Sequence, residues 1–432
     1  MELKKVLIVS PYFPPVNAAD MQRVRMSLPY FRQFGWDAEI VTVDPQYSDL
    51  EKDNLLLKSI PPGTVIHYVA ALSKKWTSKL GLGSIALRSI WFFLEKVNAL
   101  LKGNKYDLIY FSTTQFPVCI LGAYWKKRFG IPYVIDMQDP WHSNYYQDKP
   151  KEQRPSKYWF SYRLNKWLEP IAMRQVAGLI SVSQGYINEL KNRYKFLTET
   201  PFKVITFGVS KLDFEIVDQN ADNIKSQITA KPGVINLVYI GRGGTDMHRA
   251  VELLFEAFIT GLSREPDLFK KFKIYFLGTS YASVGQGSKS IEPLSNQMGL
   301  EGQVIEVTDR LGFYETISSL KNSDILFIPG SDDSQYTASK IFPYLMSGKP
   351  LLPILNSQSS TVSAIKKCSP NTAVFTFPGN KTEIITAIYL QLKAWAESPI
   401  KVSPINQDAF LEYSAETTTK KQVDLFNEAI LK

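Results

Sequence analysis

The sequence predicts an α/β chain of two doubly wound domains, each a parallel sheet covered by helices on both faces. Three observations carry this. Short apolar runs of strand length alternate with helical patterns along the chain. The alternation comes as two series, separated by a polar stretch over 219–233 that contains Pro232 and reads as a linker. The length of 432 residues exceeds what one core usually supports, so two domains are expected. The predicted domains are 1–218 and 233–402, followed by a helical tail over 403–432.

The first element is "KVLIVS", in which Val6 to Val9 form the apolar run of a strand buried on both faces. Pro14 and Pro15 cannot continue a strand or donate to its ladder, so the chain leaves the sheet there. Asp20 is a good N-cap, and Val24, Leu28 and Phe31 follow at helical spacing until Gly35. "AEIVTV" then starts the second strand. The long first loop of this βαβ unit is expected to face a ligand, because open α/β sheets bind ligands at the carboxyl ends of their strands. Strand signals recur at "VIHYVA", "DLIYFS", "YVIDM" and "GLISVS", and the helix "PVCILGAYWKKRFG" ends on Gly130. The second series runs "INLVYIG", "KIYFLG", "QVIEVT", "DILFIPG" and "PLLPIL", and "DAFLEYSAETTTKKQVDLFNEAIL" closes the chain as one helix or a pair.

Composition excludes several classes. Hydrophobic residues at 44% and aromatics at 13% suffice for globular cores and argue against disorder. Cys119 and Cys368, both in apolar surroundings, make no disulfide framework and suit a reducing compartment. His67, His142 and His248 have no metal-ligand spacing. The first apolar run is too short for a signal peptide, and no stretch reaches the ~18 apolar residues of a membrane span. A cytoplasmic chain is expected. Its formal charge of +9 favours an anionic partner: a nucleotide, an anionic lipid surface or nucleic acid. "KKWTSKLGLGSIALRSIWFFLEKVNALLKGNK" sets seven Lys/Arg against Glu95, interleaved with Trp91, Phe92 and Phe93, and "KYWFSYRLNKWLEP" repeats the theme. Such stretches suit an anionic membrane surface, although a domain helix with a basic outer face reads the same way. Nothing else resembles a nucleic-acid module, so no nucleic-acid partner is expected.

Three segments carry chemistry. Gly241, Arg242, Gly243 and Gly244 follow a strand and precede a helix beginning near Asp246. Glycines admit close approach of a phosphate, the helix N-terminus offers N–H groups, and Arg242 can grip a diphosphate in bidentate fashion. Ser339 and Lys340 open the helix "SKIFPYLMSG", where a second cation would stabilise a departing diphosphate; a solvated lysine would look no different. The stretch 136-DMQDPWHSNYY-146 groups Asp139, Gln138, Trp141 and His142 at a strand's carboxyl end. Hydroxyls pair with carboxylates and pyranose faces stack on Trp, so this stretch suits sugar binding. The alternative is that Asp139 caps a turn and Trp141 packs in the core.

"ILFIPGSDDSQYTASKIFPYLMSGKPLLPIL" resembles the donor-site signature of the family-4-like retaining glycosyltransferases of the GT-B fold. "YIGRGGTDMHRAVELLFEAF" is similar to the glycine-arginine turn that opens their C-terminal domain, "IPYVIDMQDPW" to their catalytic strand end, and "SPYFPP" to their N-terminal loop. The resemblance implies two Rossmann-like domains facing a cleft. It implies a metal-independent, retaining, hexosyltransferase-type enzyme with no cofactor, which uses a nucleotide sugar as co-substrate. The acceptor would be a glycan or a lipid-linked sugar in bacterial surface polysaccharide synthesis, with the enzyme cytoplasmic or peripheral at the inner face of the cell membrane. On these positions Asp139 is the expected acceptor-side or catalytic carboxylate. Gly241, Arg242, Gly243, Gly244, Tyr336, Ser339 and Lys340 bind the donor. Asn17, Asp20, Gln138, Trp141 and His142 bind the acceptor.

The chain departs from the family pattern in several places. Gln335 and Pro343 stand where relatives carry two glutamates, so Tyr336, Tyr344 or the backbone must hold the ribose. Met247 and His248 replace a lysine, "NAAD" replaces paired glycines, and Gln138 replaces a histidine. These departures keep two rivals open: a GT-B-fold binding protein without turnover, and a sugar-nucleotide epimerase or hydrolase.

Overall fold

A computed structural model describes residues 2–431 except 145, 146, 148–150, 152, 153, 155–157, 281, 283, 334–340, 399, 401 and 403. The chain divides into two compact units, Met1–Ser210 with Ser414–Lys432 (unit 1) and Lys211–Tyr413 (unit 2).

In unit 1 the chain runs β1 (Lys4–Val9), α1 (Gln22–Ser27), β2 (Trp36–Val43), β3 (Val65–Val69), α2 (Lys74–Thr77) and α3 (Ile85–Gly103). It continues through β4 (Leu108–Ser112), α4 (Ile120–Phe129), β5 (Tyr133–Met137), α5 (Tyr158–Met173), β6 (Gly178–Ser181), α6 (Gln184–Arg193) and β7 (Phe202–Val204). The seven strands form one parallel sheet in the order β3-β2-β1-β4-β5-β6-β7. Apolar runs buried on both faces explain why these segments are interior strands: Leu7 and Val9 enter one core cluster, Val6 and Ile8 the other.

Unit 2 opens with α7 (Lys211–Gln219), β8 (Ile235–Ile240), α8 (His248–Arg264), α9 (Pro266–Phe269), β9 (Phe272–Leu277) and α10 (Ile291–Gln297). β10 (Val304–Val307), α11 (Phe313–Asn322), β11 (Ile325–Pro329), α12 (Ile341–Met346), β12 (Leu351–Asn356) and α13 (Ser360–Cys368) follow. β13 (Phe375–Phe377), α14 (Lys381–Glu397) and α15 (Gln407–Leu411) close the unit, and α16 (Ala415–Ala429) belongs to unit 1. Its sheet is parallel, ordered β10-β9-β8-β11-β12-β13. Each unit is therefore doubly wound, and its strand order reverses between β1 and β4 or between β8 and β11. At such a reversal the crevice outside the strand ends is left open for a ligand.

Four details differ from the sequence expectation, each for a local reason. The first helix stops at Ser27, because Pro29 has no N–H to donate to the Arg25 carbonyl and continue the ladder. Asp20 is no N-cap there: its carboxylate accepts from Thr113 and Thr114. The stretch 219–233 is anchored to unit 2. α7 buries Phe214, Ile216 and Val217, Tyr314 donates to Asp213 at 3.2 Å, and Gln227 N–H donates to Ser319 at 3.0 Å. The chain thus enters unit 2 at Lys211. The tail is a helix pair whose second member returns to unit 1, burying Val423, Leu425, Phe426 and Ala429 beside Ile8, Tyr110 and Val134.

Candidate functional site

The expected residues fall into two groups, one at the strand reversal of each sheet. In unit 1, Asp20 lies in the loop after β1, Ser112 to Thr114 end β4, and Asp136 to Asp139 end β5. The organising contact is a fully buried ion pair, Arg23 Nε to Asp136 Oδ2 at 2.7 Å. Asp136 Oδ2 also accepts from Ser112 Oγ and from Gln138 Nε2, each at 3.0 Å. Arg23 donates onward to the Ile205 carbonyl at 2.8 Å, so one guanidinium ties α1 to β5 and to the segment after β7. Gln138 Nε2 further donates to the Asp20 carbonyl at 3.0 Å. Gln138 thus serves as a buried crosslink that locks the first loop. It does not present its side chain to a ligand, which corrects its expected acceptor-binding role.

Asp20 is buried, and burial raises its pKa despite the hydrogen bonds from Thr113 and Thr114. Asp139 has an exposed side chain but stands against protein mass; desolvation first, then the negative Asp20, raise its pKa. Two carboxylates that resist ionisation, at the end of a sheet, form the chemically distinctive feature of unit 1. Asn17 is half-buried, and its N–H is spent on the Glu51 carbonyl at 2.8 Å, so that group is not offered to a ligand.

Trp141 and His142 are corrected as well. Trp141 is buried and stacked on Phe116 with ring centroids 5.4 Å apart, so neither face is offered to a sugar. His142 is buried beside it. Its backbone N–H donates to Glu169 at 3.0 Å, and both ring nitrogens lack a hydrogen-bond partner among the described residues. Burial, helped by the charges of Arg193 and Lys166, pushes the imidazole down to a pKa of about 4. Both side chains hold the loop after β5 in the core.

In unit 2 the turn Gly241–Gly244 leaves β8 as expected, and a 3₁₀ turn over Thr245–Met247 leads into α8. The glycines answer packing demands. A Cβ on Gly243 would stand 2.9 Å from that of Thr279, and one on Gly244 would stand 2.4 Å from Asp246 Oδ1. Arg242 forms a bidentate pair with Asp246 at 2.7 and 2.8 Å. Asp246 also accepts from Ser331 Oγ at 2.7 Å, joining the end of β8 to the end of β11. Burial alone would raise the Asp246 pKa, but the hydrogen bonds from Arg242 and Ser331 outweigh it and hold the carboxyl below its ordinary value. Arg242 is therefore pre-oriented by a carboxylate four residues on, a partner that the sequence reading missed although the spacing i, i+4 could have signalled it.

Glu306 was also missed. Its carboxylate accepts from Thr279 Oγ1 and from the backbone N–H groups of Ile291 and Glu292, while Ser290 Oγ donates to the Gly243 carbonyl at 2.7 Å. A glutamate inside the strand "QVIEVT" was the available signal. Tyr344 is buried, and its hydroxyl accepts from Ile240 N–H at 2.8 Å where β11 diverges from β8; it is spent on the backbone and unavailable to a ribose. Tyr336, Ser339, Lys340 and Gln335 lie outside the described residues. Among the described residues no group of three or more His, Cys, Asp or Glu is placed to hold a metal ion.

The comparisons bear on this geometry. A family model described as Glycosyltransferase Family 4 matches residues 30–211. Over those residues, somewhat less than half of the chain, the sequence is similar to that family. The whole chain aligns with sucrose-phosphate synthase from Thermosynechococcus elongatus over 98% of both chains, at 14% identity and a TM-score of 0.59. HepE from Anabaena, solved in complex with UDP and glucose, aligns over 98% of this chain and 99% of its own, at 16% identity and a TM-score of 0.56. The N-terminal domain of Candida albicans trehalose-6-phosphate phosphatase aligns over 98% of this chain and 97% of its own, at 12% identity and a TM-score of 0.60. These likenesses, with the two parallel sheets, show a GT-B fold of two Rossmann-like units. No curated protein matches it by sequence.

Proposed function

We propose that the chain transfers a hexose from a nucleotide sugar to a hydroxyl of a glycan or lipid-linked acceptor, with retention and without a metal. The observation that carries this reading is the similarity to glycosyltransferase family 4 over 30–211, joined to a second unit whose glycine-arginine turn sits at the strand reversal. Unit 2 would hold the donor. The guanidinium of Arg242 would meet the diphosphate, with Ser339, Lys340 and Tyr336 completing the contacts. The N–H groups of Gly241 and Gly243 are spent on the Leu277 and Thr279 carbonyls at 2.8 and 2.9 Å, so the glycines serve by leaving room. Charge developing on the leaving diphosphate would be stabilised by those groups. Asp246 fixes the guanidinium plane at 2.7 Å before the donor arrives. HepE was solved with UDP and with UDP-glucose, which supports a uridine diphosphate sugar as the first donor to test.

Unit 1 would hold the acceptor. Asp139, exposed and with a pKa raised by desolvation first and then by the negative Asp20, is suited to orienting or exchanging a proton with an acceptor hydroxyl. The role we assign is in bacterial surface polysaccharide synthesis, on the cytoplasmic side of the cell membrane. A binding protein without turnover remains the second reading, favoured by Pro343 in α12, which offers no side-chain acceptor to a ribose. Thermal unfolding with a panel of nucleoside diphosphates tests the donor site. A ligand at a hundredfold excess over its Kd stabilises the native state by about 2.7 kcal/mol, so one base should raise the melting temperature clearly. No shift with any base removes the nucleotide-sugar reading.

A further inference from the structure

Four tryptophans of unit 1 stay in solvent. Trp76, Trp91, Trp159 and Trp167 keep 60–70% of their surface exposed, whereas Trp36, Trp125 and Trp141 are buried. All four stand on one helical layer. α3, α4 and α5 send Phe93, Trp125 and Leu168 into the same core cluster on one face of the seven-stranded sheet, so their outward surfaces share one side of the unit. The turn after α2 joins this layer where Gly81 meets the Phe160 ring, 3.0 Å from where a Cβ would stand. Leu72, Leu82 and Ile171 are exposed in the same elements or at their ends. Between α4 and α5 lies a groove of about 430 Å³, walled by Tyr124, Trp167, Pro170 and Ile171, with Lys127 and Arg174 beside them.

The charge on this layer has one sign. Along α2 to α5 the exposed or half-exposed ionisable side chains are nine Lys or Arg and one carboxylate, Glu95. Among the described residues only Lys74 of these nine has a carboxylate partner, Asp49 at 2.6 Å. Exposed indoles beside unpaired cations are the composition that settles at a lipid headgroup boundary. The ring is half apolar, and each basic residue near an anionic surface is attracted to it. The exposed leucines and isoleucine favour a bilayer over nucleic acid, which would take stacking rings and cations but has no use for aliphatic side chains. No described helix is long and apolar enough to cross a membrane, so contact would be from one side.

We propose that the α2–α5 face of unit 1 docks on an anionic lipid bilayer, centred on Trp167 and Trp159 of α5 and flanked by Trp91 and Trp76. The sequence placed such a contact on residues 74–105 and repeated its theme in the α5 stretch; the structure adds α4 between them. It stands independently of sugar transfer, since none of these side chains belongs to the sites above.

Flotation of the full chain with vesicles of phosphatidylcholine, alone or mixed with phosphatidylglycerol, tests it. Expected is binding to the mixed vesicles only, a blue shift of tryptophan emission, and loss of binding as salt screens the charges. Lys127→Glu with Lys166→Glu should weaken binding roughly tenfold or more. Trp159→Ser with Trp167→Ser should weaken it comparably, and both pairs are exposed, so circular dichroism should be unchanged. The proposal is overturned by equal binding to neutral vesicles or by undiminished binding of both variants. It is also overturned if the chain ignores vesicles and instead binds single-stranded nucleic acid, or forms a dimer that the tryptophan variants dissociate.

Discussion

Replacing Arg23 by Met should destabilise unit 1 severely. The guanidinium and the Asp136 carboxylate are both withdrawn from water, with side-chain exposures of 3% and 0%. After the substitution Asp136 Oδ2 keeps only neutral donors, Ser112 and Gln138 at 3.0 Å and the Tyr110 hydroxyl at 3.4 Å, and Oδ1 has no partner among the described residues to begin with. An uncompensated buried charge of this kind costs about 3–5 kcal/mol. Adding Asp136→Asn removes that charge and should recover at least about 2 kcal/mol, a coupling that independent sites would not show. Seven of the eight tryptophans lie in unit 1, Trp395 being the exception, so urea unfolding followed by tryptophan emission reports this unit specifically. A loss below about 1 kcal/mol for Arg23→Met would refute the reasoning, because it would mean that Asp136 finds water or a proton without cost.

Asp20 has a raised pKa, so the stability linked to its proton is fully present below the ordinary value near 3.8 and is lost as pH rises through the folded-state value. Asp20→Asn should therefore stabilise unit 1 at neutral pH, with the gain vanishing in acid; an unfolding series across pH that shows no neutral-pH gain would count against a strained carboxylate. His142 has the opposite sign. Its depressed value of about 4 gives stability that is present above about 6.5 and lost as pH falls through 4, and His142→Phe should flatten that acid-side slope in the same series. Arg242→Ala should weaken nucleoside diphosphate binding by about 1.5–3 kcal/mol by calorimetry, the scale of charge-assisted bonds; unchanged affinity in a folded variant would take Arg242 out of the site.

The two sheets were legible in the sequence because parallel strands covered on both faces leave unbroken apolar runs, such as those at "KVLIVS" and "DILFIPG". β7 and β13 were not, since three residues at a sheet edge carry too little pattern to stand out. The glycine-arginine turn was legible as a strand-to-helix junction. Its real constraint, the Arg242–Asp246–Ser331 tie, was not, because Ser331 comes from the loop after β11, 85 positions downstream of Asp246. The cluster after β5 misled in a consistent way. Trp141, His142 and Gln138 are residue types that bind sugars when exposed, and only tertiary packing against Phe116, Glu169 and Ser112 shows them turned inward. Asp139 was distinguishable from Asp136 by position alone: one lies inside the strand run, the other beyond it.

The most direct test is to follow release of nucleoside diphosphate from a nucleotide sugar, with and without acceptor, for the native chain and for Asp139→Asn in parallel. The account expects release that depends on the acceptor, with Asp139→Asn slower by about 10²–10⁴ while nucleotide affinity is retained. Release that proceeds equally without acceptor would make the chain a hydrolase. No release under any donor and acceptor pairing, with nucleotides still bound, would make it a binding protein and contradict the assignment.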